Sequence, residues 1–128
     1  MPRGRTDLPN AATLWPFGIP GQATNLNHGL IIPDDAKGTS NSVMLTWDAP
    51  ADDGGRPIDS YEVEIETPNS FGDFSHYTSR IAPGNATSLN FTGFPTGTYR
   101  FHIRAFGVKD AQTGLQFSGA FSAYATIS

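Results

Sequence analysis

The sequence predicts an all-β chain folded as an antiparallel sandwich, and three observations predict it. Short stretches of alternating apolar and polar residues recur from about residue 42 onward, the period of strands with one buried face. Clusters of Gly, Pro, Asn and Asp separate them, with 14 Gly and 10 Pro among 128 residues, a punctuation that suits tight turns better than helices. Aromatic residues form 12% of the chain and nine of them are Phe, which suits a β domain better than a helix bundle. The length allows one ordinary domain and is too short for two well-packed ones.

Residues 1–20 read as an extended arm and residues 21–128 as the sandwich. Pro2, Pro9, Pro16 and Pro20 block helix, and Leu14, Trp15, Phe17 and Ile19 lie among them with no way to bury one another. In the body, Ser42–Trp47 directs Val43, Leu45 and Trp47 to one face. Ile58–Glu66 is the clearest half-buried strand, with Tyr61, Val63 and Ile65 inward against Glu62, Glu64 and Glu66 outward. The pattern weakens over Phe74–Ile81, then Ser88–Thr92 offers Leu89 and Phe91 to the core. Thr98–Phe106 sends Tyr99, Phe101, Ile103 and Ala105 inward and Arg100, His102, Arg104 and Phe106 outward. A last strand over Phe121–Ile127 is expected to bury Ala123, Ala125 and Ile127 and to turn Tyr124 outward.

These residues resemble the fibronectin type III module. Trp47, Pro50, Asp52, Gly54, Gly55, Pro57, Ile58, Tyr61 and Val63 match its Trp, Pro and Asp-x-Gly-Gly-x-Pro-Ile-x-x-Tyr-x-Val line. Phe94, Pro95, Tyr99 and Arg104-Ala105 match its later positions, over about residues 20–128 in all. The resemblance implies a seven-stranded antiparallel, immunoglobulin-like sandwich, and a tyrosine corner in which the Tyr99 hydroxyl bonds upstream backbone. Two departures stand out: Asn27–Asn41 is longer than usual, and the loop Val108–Gly119 lacks an Arg-Gly-Asp triplet. An animal matrix-adhesion role is therefore not implied.

Eight Lys and Arg against 12 Asp and Glu give a net charge of -4, which argues against nucleic acid or anionic lipid as partner. With no Cys there is no disulfide framework and no thiolate nucleophile. No apolar run approaches the roughly 20 residues of a membrane helix, and the first ten residues lack the apolar stretch of a secretion signal. His28, His76 and His102 fall in different segments and are not expected to converge, so no catalytic residue, metal site or cofactor is predicted. Asp34-Asp35 and Asp52-Asp53 read as solvated turn residues rather than calcium ligands. Asn85 and Asn90 fit the N-glycosylation pattern but read as a turn former and an outward strand residue.

Two surfaces are candidates for partner binding. Glu62, Glu64 and Glu66 should face Arg100, His102 and Arg104 across neighbouring strands as a charge ladder, with Phe106 and Tyr124 exposed beside it as anchors. The loop Val108–Gly119, with Leu115 and Phe117, could equally fold over and cover both. The second surface is the arm, whose Leu14, Trp15, Phe17 and Ile19 are expected to dock on another subunit rather than along the arm's own sandwich. The resulting expectation is a non-enzymatic phage virion protein, a capsid decoration or tail component assembled in the host cytoplasm. Its partners would be other virion proteins in an oligomeric assembly, with a host-surface glycan as a further ligand. The alternative is an extracellular binding or spacer module of a secreted bacterial carbohydrate-active enzyme or adhesin.

Overall fold

Alternating side chains build eight strands in the computed structural model, which describes residues 18–127. They are β1 Thr24–His28, β2 Ile32–Pro33, β3 Asn41–Asp48, β4 Ser60–Pro68, β5 Phe74–Pro83, β6 Ser88–Phe94, β7 Tyr99–Phe106 and β8 Ala125–Ile127. In one sheet β3 pairs with β1 and β2 on one edge and with β6 on the other; the second sheet runs β5-β4-β7-β8. All of these pairings are antiparallel.

The long stretch after residue 27 resolves as an interrupted edge strand. His28 lies opposite Leu45 and Ile32 opposite Ser42, so four steps on the edge oppose three on β3, which is a bulge. Counted as one, β1 and β2 leave the seven strands expected. A second irregularity sits inside β1, where Asn25 adopts φ 56°, a conformation Asn tolerates. Its Nδ2 donates to Asp48 Oδ2 at 2.6 Å.

Val43, Leu45, Trp47, Tyr61, Val63, Ile65, Phe91, Tyr99, Phe101, Ile103 and Ala105 are all buried in one core, as the alternation predicts, with Leu89 packed at its edge. Phe94 joins them because Gly93 takes φ 75° and adds a residue opposite Asn41 and Ser42, which turns a second Phe of β6 inward. Phe91 and Phe94 stack at 4.7 Å, and Tyr99 meets Phe94 edge-on at 5.2 Å.

The aspartates close turns. Asp52 and Asp53 accept from the N–H groups of Gly54 and Gly55, each at 2.9 Å, and Asp35 accepts from those of Lys37 and Thr39. Leu14, Trp15 and Phe17 lie outside the described residues. From Gly18 onward the chain is tied to the β3–β4 turn: Gly18 N donates to Gly54 O at 2.6 Å and Gly21 N to Asp52 O at 2.7 Å. Gly54, at φ 82°, is required there, because a Cβ would sit 2.5 Å from the Gly18 carbonyl oxygen. Pro20 is buried while Ile19 is 62% exposed.

One expectation is corrected at the C-terminal end. Strand geometry covers Ala125–Ile127 only, Ala123 is exposed, and Ser122 is buried instead. Ser122 N donates to Ile103 O at 2.8 Å, and Ser122 Oγ accepts from Ile103 N at 3.1 Å. A side chain thus takes the place of a backbone carbonyl beside β7, and strict alternation fails around it.

Two buried tyrosines separate hydrogen bonding from packing. Tyr99 donates to Pro95 O at 2.7 Å, the predicted corner, whereas the buried Tyr61 hydroxyl and Trp47 Nε1 have only each other and make no hydrogen bond of ordinary geometry. In urea unfolding, Tyr99→Phe should lose about 1 kcal/mol, and Tyr61→Phe should be neutral or stabilising because it removes an unmet polar group. Equal losses would contradict this assignment.

Candidate functional site

The site grows out of the pairing of β4 with β7. Glu62 lies opposite Arg104, Glu64 opposite His102 and Glu66 opposite Arg100, so side chains that point away from the core meet in cross-strand pairs. Arg104 Nη2 is 2.7 Å from Glu62 Oε1, His102 Nε2 is 2.6 Å from Glu64 Oε1, and Arg100 Nε is 2.6 Å from Glu66 Oε1. The expected charge ladder is present.

Two of the three histidines, His76 and His102, converge, contrary to the sequence expectation, while His28 stays on the other sheet in β1. On the other side of β4, His76 of β5 donates from Nδ1 to Glu64 Oε2 at 2.9 Å. The β4–β5 register slips between Ile65 and Glu66 and sets His76 opposite Glu66, so it reaches Glu64 diagonally. Both imidazoles therefore address one carboxylate, brought together only because β4 is the shared neighbour of β5 and β7. The hydrogen bond from His102 lowers the pKa of Glu64 from its ordinary 4.5; partial burial opposes this, and His76 adds to the lowering.

Above the ion pairs, aromatic rings fill the spaces between the β7 side chains. Phe106 lies 5.1 Å from the Arg104 guanidinium, which is 4.7 Å from Phe121. Phe121 stacks on His102 at 3.7 Å, and His102 stacks on Tyr124 at 4.3 Å. Arg100 sits 3.9 Å from Tyr124 and 4.4 Å from Phe74. The row Phe106, Arg104, Phe121, His102, Tyr124, Arg100, Phe74 thus alternates ring with cation or imidazole, a favourable arrangement of positive charge over π faces. His102 points outward as predicted but is only 8% exposed, because rings cover both of its faces.

Of the residues singled out from sequence, Phe106 and Tyr124 both belong to this row. Gly107 N donates to Phe117 O at 2.8 Å, and Phe106 bridges to Ser118, so the loop folds back along its own strand end. Tyr124 stays 44% exposed and Leu115 is exposed too, whereas Phe106, expected to be exposed, is half-buried. Phe121, Phe74 and His76 were not foreseen. Strand parity would send Phe121 to the opposite face from Tyr124; anchoring of Ser122 in an irregular segment instead puts both rings outside. The separation of three residues between two aromatics around a Ser is the one signal for it.

Two outcomes follow. Glu64 has a lowered pKa in the folded state, so its stabilising effect exists above its ordinary value and is lost as pH falls through the lowered one. Glu64→Gln should therefore be less stable than the wild type at neutral pH, with the difference shrinking towards zero as an acid titration of thermal midpoints passes below the ordinary carboxylate range and Glu64 itself becomes protonated. Phe121→Ala should cost about 1–2 kcal/mol, from lost burial and lost stacking on His102 and Arg104. A loss of under about 0.3 kcal/mol by chemical denaturation, the scale of an ordinary surface change, would show that the row is not coupled to folding.

Comparison with known proteins agrees with this architecture. The family model described as fibronectin type III domain matches residues 35–120. The human protein Brother of CDO is 33% identical over 101 residues, which span 73% of this chain and 9% of that protein. The third fibronectin III domain of human KIAA0343 superposes with a TM-score of 0.56 at 16% identity, covering 98% of this chain and 91% of that one. The FN5 domain of Drosophila Lar gives 0.52 at 17% identity, covering 84% and 94%. These two structures share the fold. The sandwich, its turn glycines and its tyrosine corner, together with the match over residues 35–120, place this chain in the fibronectin type III domain family.

Proposed function

We propose that this chain is a protein-binding module that docks its partner through the outer face of the β5-β4-β7-β8 sheet. The observation that carries this reading is the row of alternating rings and cations from Phe106 to Phe74. Arg and aromatic side chains dominate the energetics of protein contacts, and these are held in place before any partner arrives, so less side-chain freedom remains to be lost on binding. Membership of a family of interaction and structural modules supports the same reading. The opposite sheet also exposes apolar side chains, Leu30, Ile32 and Met44, but Leu is under-represented among the residues that dominate binding.

The finer reading of a particle component anchored by its arm rests on Leu14, Trp15, Phe17 and Ile19. Only Ile19 lies within the described residues, and the relatives named above come from animals. The docking surface proposed here is the sheet face, which the described residues define.

Site-specific photocrosslinking tests the assignment. A photoreactive phenylalanine analogue at Tyr124, in cells producing the chain, should give a discrete protein adduct, while the same probe at Met44 gives none. Adducts from Met44 alone would move the docking surface to the other sheet and overturn the proposal.

A further inference from the structure

The centre of the ladder differs from its flanks. Glu62 and Glu66 each meet a guanidinium, a permanent cation, whereas Glu64 meets two imidazoles, one on each carboxylate oxygen. Three carboxylates face two guanidinium groups here, and the one without a guanidinium is Glu64, which lies between two imidazole nitrogens that are also metal donors. Donor atoms of Glu64, Glu66 and His102 lie within 4.8 Å of one another. A tetrahedral zinc site with bonds of about 2.0–2.2 Å sets its donors about 3.3–3.6 Å apart, a spacing within reach of small rotations of the two glutamates.

We propose that Glu64, Glu66, His76 and His102 bind a zinc ion at the middle of this sheet face. His102 is the fixed member, since Phe121 and Tyr124 clamp its ring and leave Nε2 directed at Glu64. Glu66 keeps Oε1 for Arg100 at 2.6 Å and offers Oε2, which carries only a long 3.5 Å contact from the Tyr124 hydroxyl. His76, exposed on β5, completes the set by a side-chain rotation. Two nitrogen and two oxygen donors suit a borderline cation such as zinc, whereas calcium asks for six to eight oxygens. The metal would replace hydrogen bonds between histidine and glutamate with stronger links joining β4, β5 and β7.

Isothermal titration of zinc chloride into the full chain at pH 7.5, in a buffer that does not chelate, tests this without a partner protein, so it succeeds or fails independently of the docking reading. One zinc per chain should bind in the micromolar range and raise the thermal midpoint. His76→Gln, Glu64→Gln and His102→Gln should each weaken binding at least about tenfold, the scale on which even outer-sphere changes act. His28→Gln, on the other sheet's edge, should bind as the wild type does. His76 is exposed, so its variant keeps the test decisive if His102→Gln fails to fold. Absence of saturable binding below millimolar zinc, zinc affinity unchanged in His76→Gln and Glu64→Gln, or calcium binding as tightly as zinc would each overturn the proposal.

Discussion

Pairing of β4 with β7 in one register decides both faces of the second sheet at once. Tyr61, Val63 and Ile65 lie opposite Ala105, Ile103 and Phe101, and all six are buried. Between them, on the other face, every acid meets a base. A slip of one residue would exchange the faces, putting Glu64 in the core and Val63 in water. Burial of this apolar set, at about 25 cal/mol per Å², is the term that forbids the slip. The ionic pairs follow from that register and are too weak to impose it, since exposed pairs contribute about 0–1 kcal/mol each.

The rings that overlie the pairs change what the face is for. A ladder of ion pairs alone would be a solvated surface. Interleaving by Phe121, Tyr124, Phe106 and Phe74 restricts the rotamers of Arg100, His102 and Arg104, with contacts worth about 0.5–2 kcal/mol each. The result is a stiff, flat array of charge and π surface rather than a set of mobile chains. Its position is set by a modest hydrogen bond, Ser122 Oγ with Ile103 N, which holds the chain before β8 out of strand geometry. A polar contact at the core boundary thus arranges an aromatic surface outside it.

Much of this was legible in the sequence. Alternation at Val43–Trp47, Tyr61–Ile65 and Tyr99–Ala105 is a local property, and knowing which side chains turn inward at once identifies their neighbours as outward. The charge ladder needed only the further inference that the two strands are adjacent, and the tyrosine corner only the position of Tyr99 after Pro95. Less was legible wherever the period breaks. Gly93 and its positive φ bring Phe94 inward, Ser122 displaces Ala123 from the interior, and the bulge between Ile65 and Glu66 carries His76 to Glu64.

By itself, then, the sequence determined the two-sheet architecture, the regularly alternating part of its core and the sign of charge at each outward ladder position, because these depend on side-chain polarity repeated at the strand period. Only the tertiary structure decided that two histidines share a carboxylate and that Phe121 and Tyr124 enclose one of them. Both results depend on which strands flank β4 and on single extra residues that shift register, and such non-local pairings leave no period in the chain to be read.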